Sequence, residues 1–521
     1  MSTAAAPEQA VIVVGGGLAG LTAALHLAER GLAPLLLEAD LHFGGRMGGG
    51  ATVELDHGGQ RWCFPAEHGL HGLWGQYHNL RAMLDRYGIA TDRVAACRED
   101  WVHREGGRTY RAEAGSAVRR SPVPAPLHYL GLLVRPDFLA MLTLRDWIGL
   151  PRVVGSLYLA LAYDPLIEPT PLAEHTLAEL FTHWPPRMQA FMTALMRNGL
   201  AAHPEEVSLG GALAFLRFYT LLRRDAWAFE YFAADAEAAL IAPLTAAIAA
   251  QGGELLNRAH VDRLEPVPGG WRVYWQRADG GRQASTTAQV VLALDAPSAR
   301  HLLAASPATA GEVAALVWPS GLANGIVRLW FDRAPTGRAE SGICSGDFTI
   351  DNFFWVQRIQ RACAAWHAAT GGALVEAHIY GPPAILDQPD VAVLALAVSD
   401  VIHAYPELQG HMIHATMQRN PPTHTRFETG TDPRYLSVES PWPGISMCGD
   451  WLRYPHPALF LERACLTGIA AASRVSVALG GEPCPLIPAQ PPEPLAGAFQ
   501  RGLRGVRRIV RPKEKGASDA K

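Results

Sequence analysis

The chain is 521 residues long, 49% apolar and carries a net charge of −4. That length predicts two or three intertwined domains rather than one core, and the charge balance excludes general nucleic-acid binding. The seven cysteines are odd in number and form no CxxC pair, residues 1–9 lack the basic and apolar parts of a secretory leader, and no run of about 20 apolar residues could span a membrane, so a reducing compartment and no metal are expected.

The apolar run at 11–14 predicts a strand. It enters Gly15-Gly16-Gly17-Leu18-Ala19-Gly20, and an alanine- and leucine-rich helix follows to about Gly31. A second apolar run, Leu35-Leu36-Leu37, ends on Glu38. Strand, glycine turn, helix and strand closed by an acid form a dinucleotide-binding unit. Gly15 permits the tight turn, Gly17 admits a pyrophosphate to the helix N-terminus, and Gly20 lets helix and strand pack closely. Glu38 can accept hydrogen bonds from a ribose diol. Ala39 and then Gly44-Gly45-Arg46 follow, the arginine placed to neutralise phosphate.

Prolines 122, 124, 126 and 136 interrupt the next region, and apolar helical stretches follow at 138–142, 153–163 and 215–219. A helix is expected over 238–250, strands near Leu255-Leu256 and His260-Val261, a hairpin partner at 271–275, and a buried strand at 289–294 running into a helix start at Asp295-Ala296-Pro297. Residues 325–331 read as a strand. A short strand ends in Gly449-Asp450, and a helix covers 460–472. The domain scheme is therefore a first nucleotide-binding part (8–100), a helical apolar substrate- or membrane-facing part (101–237), a second nucleotide-binding part (238–300), a sheet part of the substrate domain (301–430), a closing nucleotide-binding part (431–480), and a Pro-rich linker with a tail (481–521). In the tail, Leu495, Phe499, Leu503, Val506 and Val510 recur at helical spacing, with Arg501, Arg504, Arg507, Arg508 and Arg511 on the remaining faces. That is a basic membrane-surface helix, a helix docked on the protein, or a partly disordered tail.

Of the 45 basic residues only three are lysines, at 513, 515 and 521. No lysine nucleophile, Schiff base or general base is therefore available in the folded body. His57, His68, His71 and His78 have no partner at metal-ligand spacing, and no metal is expected.

The acid followed by Gly44-Gly45-Arg46, together with Gly449-Asp450 and the helix after it, resembles the FAD-binding ends of the amine oxidase and carotenoid desaturase superfamily. The run Glu67-His68-Gly69-Leu70-His71 and the stretches at 325–332, 374–380 and 461–468 resemble most the isorenieratene synthase branch of carotenoid ring desaturases and methyl-shifting enzymes. The resemblance implies an α/β fold, a Rossmann-like FAD-binding domain interleaved with an α+β substrate domain carrying a mixed or antiparallel sheet and apolar helices. It assigns FAD to Gly15, Gly17, Leu18, Ala19, Gly20, Glu38, Ala39, Gly44, Gly45, Arg46, Val261, Gly449, Asp450, Leu461 and Glu462, and it places His68 and His71 near the isoalloxazine as catalytic candidates. The implied activity is oxidation of a long apolar isoprenoid, most simply a carotenoid, by desaturation, ring aromatisation with a methyl shift, or isomerisation. A quinone or oxygen is the expected electron acceptor, and the expected location is cytoplasmic, peripheral to a membrane. A flavin amine oxidase, a hydroxysqualene-type dehydroxylase and a non-catalytic FAD-bound carotenoid carrier stay open as alternatives.

Overall fold

The computed structural model describes residues 8–168, 171–426 and 435–510; the three lysines and Arg511 lie outside them. Two seven-stranded sheets organise the chain. The first runs Glu254–Leu256, Leu35–Leu37, Gln9–Val14, Arg282–Leu292, Gly270–Arg277, Ala259–Val267, with Ile445–Met447 also paired to Arg282–Leu292. Its central pairs are parallel and its outer hairpins antiparallel. The parallel strands are buried on both faces, which is why 11–14 and 35–37 are continuous apolar runs. The helix Leu18–Ala28 is buried along its whole length. It packs on Phe460–Ala478, and the approach is close because Gly468 has no side chain: a Cβ there would lie 2.5 Å from Ala19 O. The first and last helices of the nucleotide-binding domain are thus locked together. Asp295 caps Ala296–Ala305 by accepting from Ser298 N, with Pro297 in the first turn, as the sequence indicates.

The second sheet runs Met412–Thr425, Gly321–Phe331, Ala373–Ile379, Asn352–Trp355, Ser341–Gly346, Glu99–Glu105, Arg108–Glu113. It is antiparallel except where Ser341–Gly346 meets Glu99–Glu105. The interleaved α/β architecture with a mixed substrate-domain sheet is therefore as the sequence implies. The expectation of a helical segment from residue 101 needs correction. The first strands of that region extend the second sheet, joined by a Gly106-Gly107 turn with φ of 56° and 80°, a hairpin conformation that glycine adopts without steric cost. Helices then dominate from Gly115–Arg119 to Leu209–Leu216, and Phe229–Phe232 returns to pair with Gly72–Trp74.

The Pro-rich stretch is a strap rather than a free linker. Asn79 exchanges hydrogen bonds with the Ile487 backbone, Arg223 donates to Pro491 O, and Glu493 accepts from Ala125 N and Arg224. It leads into the helix Pro494–Val510, which docks against Leu159–Ala162. Arg507 pairs with Glu168 at 3.0 Å and lies over the Tyr163 ring, while Phe499 meets Tyr158. Of the readings of the tail, the docked helix is the one seen over the described residues, up to Val510.

Candidate active site

One cavity of about 860 Å³ opens at the carboxyl ends of the first sheet's parallel strands and continues to the second sheet. Its nucleotide end is built from the glycine turn. Gly15 has φ of 102°, and a Cβ there would sit 2.6 Å from Ala293 O. A Cβ on Gly20 would lie 1.9 Å from Gly15 O, so this glycine is needed for packing and does not line the cavity. A Cβ on Gly17 would meet nothing within 4 Å: it would project into open space beside the helix N-terminus, where an anionic group has room. Glu38 Oε2 accepts from Gly16 N at 2.6 Å and Oε1 from Asp40 N at 2.8 Å. Each carboxylate oxygen retains lone-pair capacity for a ribose hydroxyl at the cavity rim. Leu18, Ala19, Ala39, Gly44 and Gly45 line the same wall. Val261 joins them where its strand bulges between Val261 and Arg263.

The far end of the sequence closes this cradle. Ile445–Met447 delivers Gly449 and Asp450 to the cavity, and Asp450 Oδ2 lies 2.8 Å from Arg46 Nη2. Phe460–Ala478 starts at the cavity, with Phe460, Leu461 and Ala464 in its wall. Glu462 is placed differently from expectation. Its carboxylate turns away and accepts from Asn79 N, Asn79 Nδ2 and Leu80 N, capping the helix His78–Tyr87. Its side chain therefore serves helix packing, and burial lifts its carboxyl to about 7. Arg463 is likewise structural: buried, it donates to the carbonyls of Ala458, Leu452 and His456 and fixes the loop after Asp450.

The other end of the cavity is aromatic. Trp74, Phe215, Tyr219, Trp227, Phe229 and Phe354 line it. Trp74 contacts Tyr219, Trp227 and Phe229 at centroid distances of 4.8, 5.3 and 4.5 Å. His68 and His71 both reach the cavity. Burial first, then neighbouring imidazoles and Arg46, push them down to about 3 and 4. Both are neutral at physiological pH and are weak bases there. His57 and His78 lie elsewhere, and among the described residues no group of three or more His, Cys, Asp or Glu is arranged to hold a metal ion.

Sequence reasoning missed several wall residues. His424, at the end of Met412–Thr425, stacks on Phe460 at 5.6 Å, and burial with Arg46 nearby holds it at about 4. His378, Tyr380 and Asn352 come from adjacent strands of the second sheet. Their strand patterns are visible in the sequence, but which face meets the cavity depends on how the sheet sits against the glycine turn.

The model of the family described as flavin containing amine oxidoreductase matches residues 18–476. The chain is 29% identical to a carotenoid phi-ring synthase from Streptomyces griseus, covering 89% of this chain and 87% of that one. It is 23% identical to a carotenoid phi-ring synthase from Chlorobaculum tepidum, covering 92% and 91%. Cyclohexylamine oxidase from Brevibacterium oxydans shares the fold with a TM-score of 0.63 at 16% identity, over 91% of this chain and all of that chain. The open space at Gly17, the acid at the cavity rim and the cationic edge of Arg46 suit a flavin nucleotide. With the match running from the glycine turn to the last helix of the cradle, this oxidoreductase belongs to the flavin-containing amine oxidoreductase family.

Proposed function

We propose that the protein is an FAD-dependent oxidoreductase acting on a carotenoid, and that it desaturates an end ring with a methyl shift. The observation that carries this reading is the aromatic wall around Trp74, Tyr219 and Phe229, which shares one cavity with the nucleotide cradle. It offers apolar surface and π-faces, and among the described residues it contains no lysine to engage an amine's chemistry. The length over which the two phi-ring synthases align supports the same substrate class.

FAD, bound through Glu38 and Arg46, would supply the two-electron acceptor for a hydride leaving an allylic C–H. The chain's own residues have two tasks there. Edge-on and tilted aromatic rings exclude water and hold the polyene, and their negative faces favour positive charge developing on it. His68, His71 and His424, being neutral, do not oppose that charge.

The apolar substrate would be drawn from a bilayer. Among the described residues no helix is long and apolar enough to cross a membrane. The elements at 127–157 instead expose Leu130, Val134, Leu144, Trp147 and Ile148, with Val134, Leu144 and Ile148 each at least 75% exposed. A cluster of this kind suits insertion into one leaflet of the membrane. A quinone in that membrane, or oxygen, would reoxidise the flavin.

Anaerobic addition of β-carotene in phospholipid vesicles tests the reading. Bleaching of the flavin absorbance is expected anaerobically, and an aromatic-ended product in the lipid extract by mass spectrometry once a quinone is added, because one ring gives up four electrons and one flavin takes two at a time. Turnover of a primary amine with peroxide release, and none with carotenoids, overturns it.

A further inference from the structure

The strand Ala373–Ile379 presents alternate residues on one face, and its neighbour continues that alternation past the strand end: Glu376, His378, Tyr380. Tyr380 OH lies 3.0 Å from His378 Nδ1, and His378 Nε2 lies 2.8 Å from Glu376 Oε1. Arg328, directly across the sheet from Glu376, holds its other oxygen at 2.7 Å. Leu70 N donates to Glu376 as well. His378 and Tyr380 line the cavity, with Asn198 and Asn352 beside Tyr380. We propose that Tyr380, His378 and Glu376 form the proton acceptor of this cavity, an inference that rests on the carotenoid reading.

The hydrogen-bond directions follow from charge. Burial works to raise the Glu376 carboxyl, but Arg328 and then His378 overcome it and hold the group ionised, at about 2. An ionised carboxylate only accepts, so His378 Nε2 carries the hydrogen. In the proton-accepting form of the relay Nδ1 carries no hydrogen and takes the hydrogen bond from Tyr380 O–H. Asn352 Nδ2 donates to the Tyr380 oxygen at 3.4 Å, which leaves that oxygen one further lone pair for a proton.

The chemistry needs such a group. Loss of a hydride leaves a carbocation on the substrate. To close it to a double bond, an adjacent C–H breaks, its electron pair becomes the π bond, and its proton must go to a base. Here the proton passes to Tyr380 oxygen as the phenolic proton moves to His378 Nδ1, and the imidazolium formed is stabilised by Glu376. A C–H next to a carbocation is strongly acidic, so a phenol hydrogen-bonded to an imidazole nitrogen suffices and no amine base is required. Glu376 and Arg328 are positioning residues in this scheme.

The test compares wild type with Tyr380→Phe, His378→Gln and the double variant, each checked for flavin content and carotenoid binding, with β-carotene vesicles as probe, anaerobic for the bleaching rate and with added quinone for the product. The expectation is flavin bleaching near the wild-type rate with finished product reduced about 100-fold or more, rearranged or isomerised carotenoid in its place, and a double variant no worse than either single one. Tyr380→Phe removes one oxygen and keeps the ring, so it remains informative if His378→Gln folds poorly. Normal product from folded Tyr380→Phe overturns the relay and leaves the carotenoid reading intact. No bleaching of the wild type by the carotenoid overturns both.

Discussion

Arg46 and Asp450, from opposite ends of the chain, form a 2.8 Å ion pair at the wall of the cavity. The pair is asymmetric: the Asp450 side chain is 7% exposed, while Arg46 keeps 29%. The carboxylate is therefore committed to the protein, and the guanidinium retains an edge for a ligand. Two sequence fingerprints that each suggest a nucleotide are in fact one latch, which ties the last parallel strand to the loop after the second. We expect Arg46→Met to lower stability by about 1–3 kcal/mol, between the values for exposed and buried pairs, and to reduce flavin retention. Thermal unfolding of the flavin-free protein separates the first effect from the second. Unchanged stability together with full flavin content would mean that the latch is idle.

Gly17 and Gly20 should fail in opposite ways. A Cβ on Gly17 meets nothing, so Gly17→Val should leave the fold intact and expel the flavin. A Cβ on Gly20 collides with Gly15 O, so even Gly20→Ala should destabilise the apo-protein by about 1–3 kcal/mol. Circular dichroism melts of apo-protein, with flavin absorbance of the purified variants, distinguish the two. Glu38→Ala should behave like Gly17→Val.

The nucleotide half of this site is legible in the sequence because its work is done by backbone conformation. Glycine spacing, flanking apolar runs and an acid at the end of Leu35–Leu37 are local features. The substrate half is assembled from distant strands. Glu376 and His378 are visible as an alternating strand, but that Arg328 lies opposite Glu376 is set by register, and that Tyr380 faces the flavin space is set by domain packing. Glu462 shows the reverse failure. The resemblance assigns it to the cofactor, yet Asn79 and Leu80, far away in sequence, claim its carboxylate. The strands beginning at Glu99 do carry a local signal, the Gly106-Gly107 turn, which the expectation of a helical segment from residue 101 leaves unused.

Glu67 should make stability depend on pH. It is buried, accepts from Ala236 N and Gln360 Nε2, and is lifted from 4.5 to about 7, by burial and then by the charge of Glu376. A carboxyl with a raised folded-state pKa binds its proton more tightly when folded. Its contribution is therefore fully present below pH 4.5 and is lost as pH rises towards and through 7. Glu67→Gln mimics the protonated state, and the Gln360 amide can rotate to suit it. We expect melting temperature to fall less steeply between pH 5 and 7.5 in Glu67→Gln than in wild type. Parallel profiles would assign the pH dependence to other groups, Glu462 first.

Membrane attachment should divide into an apolar part and a charged part. Leu144 and Ile148 lie one turn apart on Leu144–Leu157 and point outward. Burying each side chain in a bilayer is worth about 1.5–3 kcal/mol, so Leu144→Ser with Ile148→Ser should weaken binding to neutral vesicles by at least about 100-fold. The charged part should be small. Arg504 and Arg507 of the tail helix are engaged with Asp164 and Glu168, whereas Arg501 faces solvent. An arginine near an anionic surface contributes on the order of 1 kcal/mol, so Arg501→Glu should lower binding to anionic vesicles at low salt and change little at high salt. Point variants are preferable to deleting the tail, because the helix covers Leu159–Ala162 and its removal would expose new apolar surface. Flavin content should stay constant throughout. Co-sedimentation with neutral and anionic vesicles, at low and high salt, gives both terms. Undiminished binding by the Leu144 and Ile148 double variant would move the attachment surface elsewhere.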